Sequence, residues 1–150
     1  MVEGLGLTTD MCFLKLFSDA ASFKDYAAET DLPVFGVHDA QDIRRRKTGE
    51  TFGTHRISFT VSACEWDDFD GQVRDAIVFL GHHAPEIRRL VTAHPVSDAY
   101  LDFPLWSRLE GDLVSQSDSL PRELIARCAA AGIGVVMSTY ARAAFASDEA

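Results

Sequence analysis

The stretch His55-Arg56-Ile57-Ser58-Phe59-Thr60-Val61-Ser62 begins the segment, His55 to His94, that decides the fold. Apolar and polar residues alternate through this stretch, which predicts a half-buried strand with Ile57, Phe59 and Val61 on one face. The period then changes from that of a strand to that of a helix, and the apolar residues at helical spacing are Trp66, Phe69, Val73, Ile77 and Leu80. A strand that leads directly into a helix is therefore the predicted centre of the fold.

The junction between this strand and helix carries signals for a helix start. Ser62 and Glu65 stand three residues apart, which is the spacing of a capping box. Val61 and Trp66 have the spacing of a hydrophobic staple, in which two apolar side chains fix the angle at which the chain enters the helix. We therefore expect the helix to begin close after Ser62.

A second set of signals predicts that the helical segment is broken. Gly81 suits the position just after a helix, and Pro85 suits the first turn of a new one. The sequence thus favours two helices over one, with the second running from Pro85 to about Ala93 and ending before Pro95.

The N-terminal part of the chain is predicted to contribute two strands and a helix. Met11 to Phe17 alternates as a strand, and Ser18 can cap a helix from Asp19 to about Thr30. Val34 to Val37 has the composition of a short extra strand. The segment from 33 to 54 is otherwise irregular, and long connections of this kind tend to be functional or mobile.

The C-terminal part is predicted to hold a hairpin, a helix and a final strand. Asp98 to Phe103 alternates, and Pro104 indicates an edge strand or a strand end because it cannot donate a ladder hydrogen bond. Leu113 to Gln116 is expected to pair with it as a short strand. A helix from Pro121 to Ala131 and a strand from Ile133 to Tyr140 follow.

These elements predict one α+β domain over residues 1–150, with an ordered part of about 11–142. We expect a two-layer sandwich in which a mixed or mostly antiparallel sheet of four to five strands carries its helices on one face, with ferredoxin-like topology. The side chains expected beneath the helices are Cys12, Leu14, Leu16, Ile57, Phe59, Val61, Ala99, Leu101, Phe103, Ile133, Val135 and Met137.

The composition of the chain indicates which classes of partner and which cellular location to expect. Fourteen basic and 23 acidic residues give a formal net charge of −9, which repels phosphate backbones and argues against nucleic acid. No run of about 18 apolar residues is present, so no membrane partner is predicted. Three cysteines without close spacing are typical of reduced thiols, and the N-terminus has no basic region of the signal-peptide kind. We therefore expect a cytoplasmic protein.

The C-terminal run from Ser119 to Tyr140 has a recognisable order of features. A helix opened by Pro121 is followed by Gly132 and by a strand that closes on Tyr140. This ending resembles that of a family of small uncharacterised bacterial proteins. The family is a domain of unknown function, so the resemblance implies a fold and a bacterial origin but no reaction, and it carries no functional residues.

The resemblance extends more loosely over about residues 11 to 140. The features that fit are the strand and polar turn Leu14 to Asp19, the turn at Gly49-Glu50 and the two-part helix before Pro95. The chain departs from the family pattern at Phe59, where the second strand often carries a tryptophan. Some similar bacterial proteins are immunity partners of toxins, which by analogy implies a partner-type protein.

Alternation also predicts the second face of the sheet, opposite the helices. We name it the open face, and its expected members are Phe13, Lys15, Phe17, Arg56, Ser58, Thr60, Tyr100, Asp102, Val136, Ser138 and Tyr140. A polar face with this many aromatic side chains is larger than a monomer usually exposes. It could be covered by a second copy, by another protein, by a ligand, or by the segment from 33 to 54.

A basic cluster lies within that same segment. Arg44, Arg45, Arg46 and Lys47 form the densest positive charge in the chain. The cluster could pair with an acidic partner surface or an anionic ligand, although a solvated charge run is the default interpretation.

No residue pattern predicts catalysis, a metal site or a cofactor. The acidic residues Glu65, Asp67, Asp68 and Asp70 crowd a helix start, where acids are favoured electrostatically, and residues one or two apart on a helix do not converge. The acidic neighbours of Cys64 argue for an inert thiol.

The preferred functional prediction is a non-enzymatic protein-interaction module that uses the open face, as a homodimer or as a partner of another bacterial protein. The alternative is a small-molecule-binding domain or small enzyme with a pocket between the open face and the segment from 33 to 54. Arg56, Tyr100, Asp102 and Tyr140 would then be its convergent polar groups.

Overall fold

A computed structural model of the chain describes residues 11–143. Within them the chain forms a five-stranded sheet, a separate two-stranded hairpin and three helices. The strands are β1 Cys12–Ser18, β2 Val34–His38, β3 Ile43–Arg45, β4 Glu50–Thr51, β5 His55–Ser62, β6 Asp98–Trp106 and β7 Gly134–Tyr140. The helices are α1 Lys24–Glu29, α2 Phe69–Ala93 and α3 Arg122–Ala131. The ends of the predicted domain, 1–10 and 144–150, lie outside the described residues.

The five-stranded sheet has the order β2-β5-β1-β6-β7. Its central strand, β1, is antiparallel to both β5 and β6, and β2 is antiparallel to β5 at one edge. At the other edge β7 runs parallel to β6. The strands β5 and β6 are thus parallel to each other on either side of β1, and α2 connects them as a split βαβ unit. The predicted α+β class with a mixed sheet is confirmed.

The core lies between one face of the sheet and the helices α2 and α3. Leu14, Leu16, Phe59, Leu101 and Phe103 are fully buried and belong to one cluster with apolar side chains of both helices. The predicted core residues Val61, Ala99 and Val135 pack against that cluster while remaining partly exposed. Met137 of the edge strand β7 is 37% exposed, so its burial was overestimated.

The predicted break in the helical segment is wrong, because α2 is continuous from Phe69 to Ala93 with Pro85 inside it. Pro85 has no N–H to donate to the carbonyl of Gly81, one turn earlier, and interior prolines cost about 3 kcal/mol. Gly81 is exposed, so water can reach its carbonyl. The buried side chains on either side, Leu80 and Ile87, pack in the same core and hold the helix together across the proline.

The predicted capping box and staple are also wrong. The helix begins later, and its N-cap is Asp68, whose carboxylate accepts from the N–H of Gly71 at 3.0 Å. Ser62 lies in β5, and its hydroxyl donates instead to Asp75 of α2 at 2.6 Å. Trp66 precedes the helix and packs on aromatic rings at the end of the sheet. Tertiary contacts thus use the groups that the local pattern assigned to the cap.

The first helix is shorter than predicted. The segment from 19 to 23 bends before α1, which runs from Lys24 to Glu29. The hydroxyl of Ser18, a buried residue of β1, accepts from the N–H groups of Ala20 and Ala21 and donates to the carbonyl of Pro95. The polar turn after β1 is therefore organised by this serine rather than by a longer helix. The predicted strand from 34 to 37 is confirmed as β2.

The predicted hairpin after β6 is wrong. Leu113 to Gln116 forms no strand, and Val114 is 93% exposed. The neighbour of β6 on that side is β7, which arrives through α3 and pairs in parallel. Strand β6 is interior and continues through Pro104 to Trp106. Pro104 is tolerated because the pairing with β1 ends at Asp102, so its missing N–H interrupts no bond with that strand.

Candidate functional site

Strand register gathers five of the predicted open-face residues around the centre of the sheet. Lys15 of β1 lies opposite Ser58 of β5 on one side and Tyr100 of β6 on the other. Phe17, two residues further along β1, lies opposite Arg56. Residues directly opposite on neighbouring strands have side chains within contact distance, so these five form two adjacent rows on one surface.

One acidic residue of the open face is fully engaged. The carboxylate of Asp102 accepts a hydrogen bond from the ammonium of Lys15 at 2.8 Å and another from the hydroxyl of Ser138 at 2.7 Å. Lys15 keeps a third of its side chain exposed, whereas Asp102 is mostly covered. Asp102 thus anchors three strands, β1, β6 and β7, and both of its oxygens are occupied.

The positively charged side chain of Arg56 has an unusual environment on this face. Its Nη2 donates to the carbonyl of Phe52 at 3.1 Å and to the hydroxyl of Thr54 at 3.0 Å. Its Nε is buried without a hydrogen-bond partner in the described chain, and none of the ion pairs among residues 11–143 includes it. Desolvation, and after it the charge of Arg44, lowers the pKa of Arg56 below its ordinary value. The guanidinium is therefore a half-buried positive charge that no carboxylate of the described residues neutralises.

Aromatic rings surround this guanidinium. Its central carbon lies 5.1 Å from the ring centroid of Phe17 and 4.9 Å from that of Phe52, which are cation–π distances. Phe17 stacks in turn on Tyr100 with centroids 5.7 Å apart, and Phe52 stacks on His38 at 4.1 Å. The rings attract the charged group and hold it in place on the face, where no carboxylate of residues 11–143 forms an ion pair with it.

The segment from 33 to 54 extends the sheet with its first part and contacts the open face with Phe52 near its end. Its first part is the edge strand β2, and its later part is the hairpin of β3 and β4. Two of its phenylalanine rings reach the face: Phe35, which packs on Phe13 at 4.6 Å and stays 51% exposed, and Phe52 beside Arg56. This segment and the face together border a depression of about 170 Å³ next to Arg56.

We name this hollow the Arg56 depression. Its lining residues are Lys15, Phe17, Gly36, His38, Arg56, Ile57, Ser58 and Tyr100. The sequence patterns had placed Lys15, Phe17, Arg56, Ser58 and Tyr100 on this face. They had not identified Gly36 and His38, because these enter the site through the pairing of β2 with β5, which lies between distant parts of the chain. Within β2 alone, the two-residue spacing of Gly36 and His38 was the available signal.

Tyr140 is not part of this constellation. It lies opposite Trp106 at the far end of β6 and stacks on Trp66 at 4.6 Å, whereas Phe17, beside Arg56, lies opposite Asp98. A strand rises about 3.3 Å per residue, so positions 98 and 106 are about 26 Å apart along β6. Tyr140 and Arg56 therefore do not converge on one ligand.

The basic cluster is exposed on the hairpin of β3 and β4. Arg45 forms an ion pair with Glu50 across the hairpin at 3.4 Å between Nε and Oε1. Arg44, Arg46 and Lys47 have no ion-pair partner among residues 11–143. We name these four cations, residues 44–47, the basic hairpin. It is coupled to the open face, since the charge of Arg44 acts on Arg56.

Two other candidate groups lie on the opposite layer. The thiol of Cys64 donates to Asp75 at 3.3 Å. The hydroxyl of Ser62 favours its thiolate, but burial and Asp75 outweigh that effect and raise the pKa of Cys64 above its ordinary value. The acidic turn supplies the N-cap Asp68, and no group of three or more His, Cys, Asp or Glu side chains within residues 11–143 is arranged to hold a metal ion.

Comparison of the chain with protein-family models, with curated proteins and with solved structures found no match. The resemblance of residues 11 to 140 to a family of uncharacterised bacterial proteins therefore stays a prediction. In the described part of the chain, no helix combines the length and the apolar composition needed to cross a membrane.

Proposed function

We propose that the protein is a non-enzymatic binding module that contacts an acidic segment of another protein through the open face of its sheet. The observation that carries this proposal is the half-buried guanidinium of Arg56, which no carboxylate of residues 11–143 neutralises. Burying a charge without a partner is unfavourable, and a carboxylate supplied from outside offsets that cost.

The distribution of charge supports the same partner. The chain as a whole is acidic, with a formal net charge of −9, yet the basic hairpin, Lys15 and Arg56 concentrate positive charge on and beside one face. A patch of the opposite sign to the rest of a protein orients an approaching partner and excludes partners of the wrong sign. An acidic segment is attracted to this face and repelled by the remainder of the surface.

The same charges argue against a second copy on this face. In a symmetric dimer the same patch meets itself, so the open face of one protomer would place its cations against those of its partner. Like charges facing each other are unfavourable. The predicted homo-oligomer would therefore use another surface, and it stays a prediction, as does the cytoplasmic location.

The ferredoxin-like topology is part of the proposal as well. The split unit of β5, α2 and β6 around β1 supports it. The parallel pair of β6 and β7 lies outside that unit.

Binding of a fluorescently labelled polyglutamate peptide, measured by anisotropy at several salt concentrations, tests the proposal. We expect affinity to fall as salt rises, because exposed charges are screened over about 10 Å at 0.1 M. Reversing the hairpin charges with Arg44→Glu and Arg46→Glu should weaken binding by about tenfold or more at low salt. The double variant Arg89→Glu and Arg122→Glu is the matched control, since these exposed arginines lie on α2 and α3 in the helix layer.

The control should bind as the unchanged protein does. Equal affinity of the hairpin variant and the control variant would contradict the proposal, because the hairpin variant reverses charges beside the open face whereas the control reverses charges in the helix layer. Circular dichroism melting of each variant establishes that the proteins compared are folded.

A further inference from the structure

The Arg56 depression is rich in hydrogen-bond donors. Besides the guanidinium it contains the ammonium of Lys15, the hydroxyls of Ser58 and Tyr100 and the ring of His38. The hydroxyl of Tyr100 is a donor at neutral pH, as that of an ordinary tyrosine is, and desolvation raises its pKa further. The charges of two acidic side chains act on Tyr100, and neither lines the hollow: Asp102 is already occupied by Lys15 and Ser138, and Asp98 is exposed opposite Phe17. A group that accepts several hydrogen bonds and carries negative charge is the chemical complement of such a hollow.

The size of the depression limits what enters it. Pockets that enclose whole small molecules commonly measure about 300–1,000 Å³. At about 170 Å³ the Arg56 depression is smaller, so it fits one acidic group and not a drug-sized molecule. Phosphate and carboxylate groups share the required chemistry, since both present several oxygen acceptors on one charged centre.

We infer that the Arg56 depression is an oxyanion site that takes a single carboxylate or phosphate group. The inference deepens the proposed function and rests on it for one source of the anion, a side-chain carboxylate of the acidic partner. A free phosphate group is the other source, and it needs no protein partner. Arg56 supplies the charge, Tyr100 and Ser58 supply neutral donors, and the basic hairpin lies outside the hollow.

Gly36 provides a way to close the site without removing a charge. A Cβ built on Gly36 would lie 3.7 Å from His38 Nε2 and 3.7 Å from Ser58 Oγ, which is ordinary van der Waals contact with two lining side chains. Its backbone does not have a positive φ, so a side chain is tolerated there. The strand is at the edge of the sheet, where an added apolar residue is compatible with pairing. Gly36→Leu should therefore fold and fill the hollow.

Titration with inorganic phosphate, followed by amide chemical shifts, tests the site directly. We expect saturable shifts at residues that line the depression in the unchanged protein. Arg56→Gln and Gly36→Leu should each weaken phosphate binding by about tenfold or more, which corresponds to the loss of a charge-assisted hydrogen bond. The matched control is Arg46→Gln, which removes one positive charge from the basic hairpin and should retain most of the affinity.

The labelled polyglutamate peptide identifies the source of the anion. If Gly36→Leu weakens peptide binding as well as phosphate binding, a carboxylate of the partner occupies the depression. If it abolishes phosphate binding and leaves peptide binding intact, the site belongs to a free anion and the partner binds the hairpin.

Two results overturn the inference. One is the absence of saturable phosphate shifts together with peptide binding that does not respond to Gly36→Leu. The other is phosphate binding that Arg56→Gln and Gly36→Leu leave unchanged, since that binding lies elsewhere. The proposed function is judged separately, by the response of peptide binding to the hairpin variants.

Discussion

Gln72 links the first turn of α2 to the far end of the sheet. Its Nε2 donates to the carbonyl of Pro104 at 2.8 Å and to that of Glu65 at 3.2 Å, and the residue is fully buried. Its Oε1 is buried without a partner among the described residues. The side chain thus stabilises two carbonyl groups and carries one unpaired acceptor, so its net contribution depends on which effect is larger.

We expect Gln72→Met to lower the free energy of unfolding by about 1–3 kcal/mol. The substitution keeps the length of the side chain but removes the donor, so the buried carbonyl of Pro104 loses its partner. Urea denaturation measures the change, and Gln41→Met, at an exposed position, should stay within about 0.5 kcal/mol of the unchanged protein. An unaltered midpoint for Gln72→Met would mean that relief of the unpaired Oε1 offsets the lost bonds.

Some residues of the Arg56 depression could be predicted from the sequence and others could not. Alternation is a local property, so it correctly assigned Lys15, Phe17, Arg56, Ser58 and Tyr100 to one face of their strands. It cannot say how far apart two residues of one face lie, which is why Tyr140 was grouped with Arg56. The lining contributed by β2 depends on strand order, which only the assembled sheet determines.

Helix α2 is the element in which local signals and tertiary packing disagree most clearly. A glycine and a proline four residues apart predict a break, and both residues are present. The helix nevertheless continues for 25 residues, because its apolar side chains before and after Pro85 face the same sheet. Pro85 therefore weakens a helix that packing maintains.

We expect Pro85→Ala to raise the free energy of unfolding by about 2–2.6 kcal/mol. The substitution restores a donor for Gly81 and removes a steric clash worth about 3 kcal/mol, while the more flexible unfolded chain returns about 0.4–1 kcal/mol of that gain. The sign of the change in the free energy of unfolding distinguishes one helix from two. If Pro85 opened a second helix, alanine would be neutral or destabilising. Denaturant unfolding measures the change, with Arg74→Ala on the exposed side of α2 as the control.

The remaining elements were predictable where their pattern was regular and their boundaries were marked. β5 has the predicted bounds because its alternation runs through all its positions, and Gly132 ends α3 with the left-handed backbone, φ 79°, that glycine favours. Leu113 to Gln116 failed for the opposite reason: a few apolar residues beside a turn do not make a strand unless a partner strand is free. At that edge β6 is already paired with β7.

At the scale of the whole molecule, the sheet separates two chemically different surfaces. The helix layer carries the acidic turn before α2, whereas the open face and the basic hairpin carry Lys15, Arg56 and residues 44–47. Period two in the strands places Lys15 and Arg56 on the open face, and the basic hairpin, which is a separate sheet, adds its charge beside them. A protein with this layout can attract an acidic partner on one side and still have a negative net charge.

The same layout predicts how self-association should respond to charge. We expect Arg56→Glu to leave the molar mass in solution unchanged, since a symmetric contact through the open face would oppose like charges. Light scattering over a range of protein concentrations, at about 0.02 and 0.5 M NaCl, measures the mass under weak and strong screening. Arg122→Glu is the control for net charge.

A molar mass that changes in Arg56→Glu but not in the control contradicts the prediction. A dimer that appears only when salt screens the open face contradicts it as well. A dimer that responds neither to Arg56→Glu nor to salt would form through another surface and leave the open face accessible to a different protein.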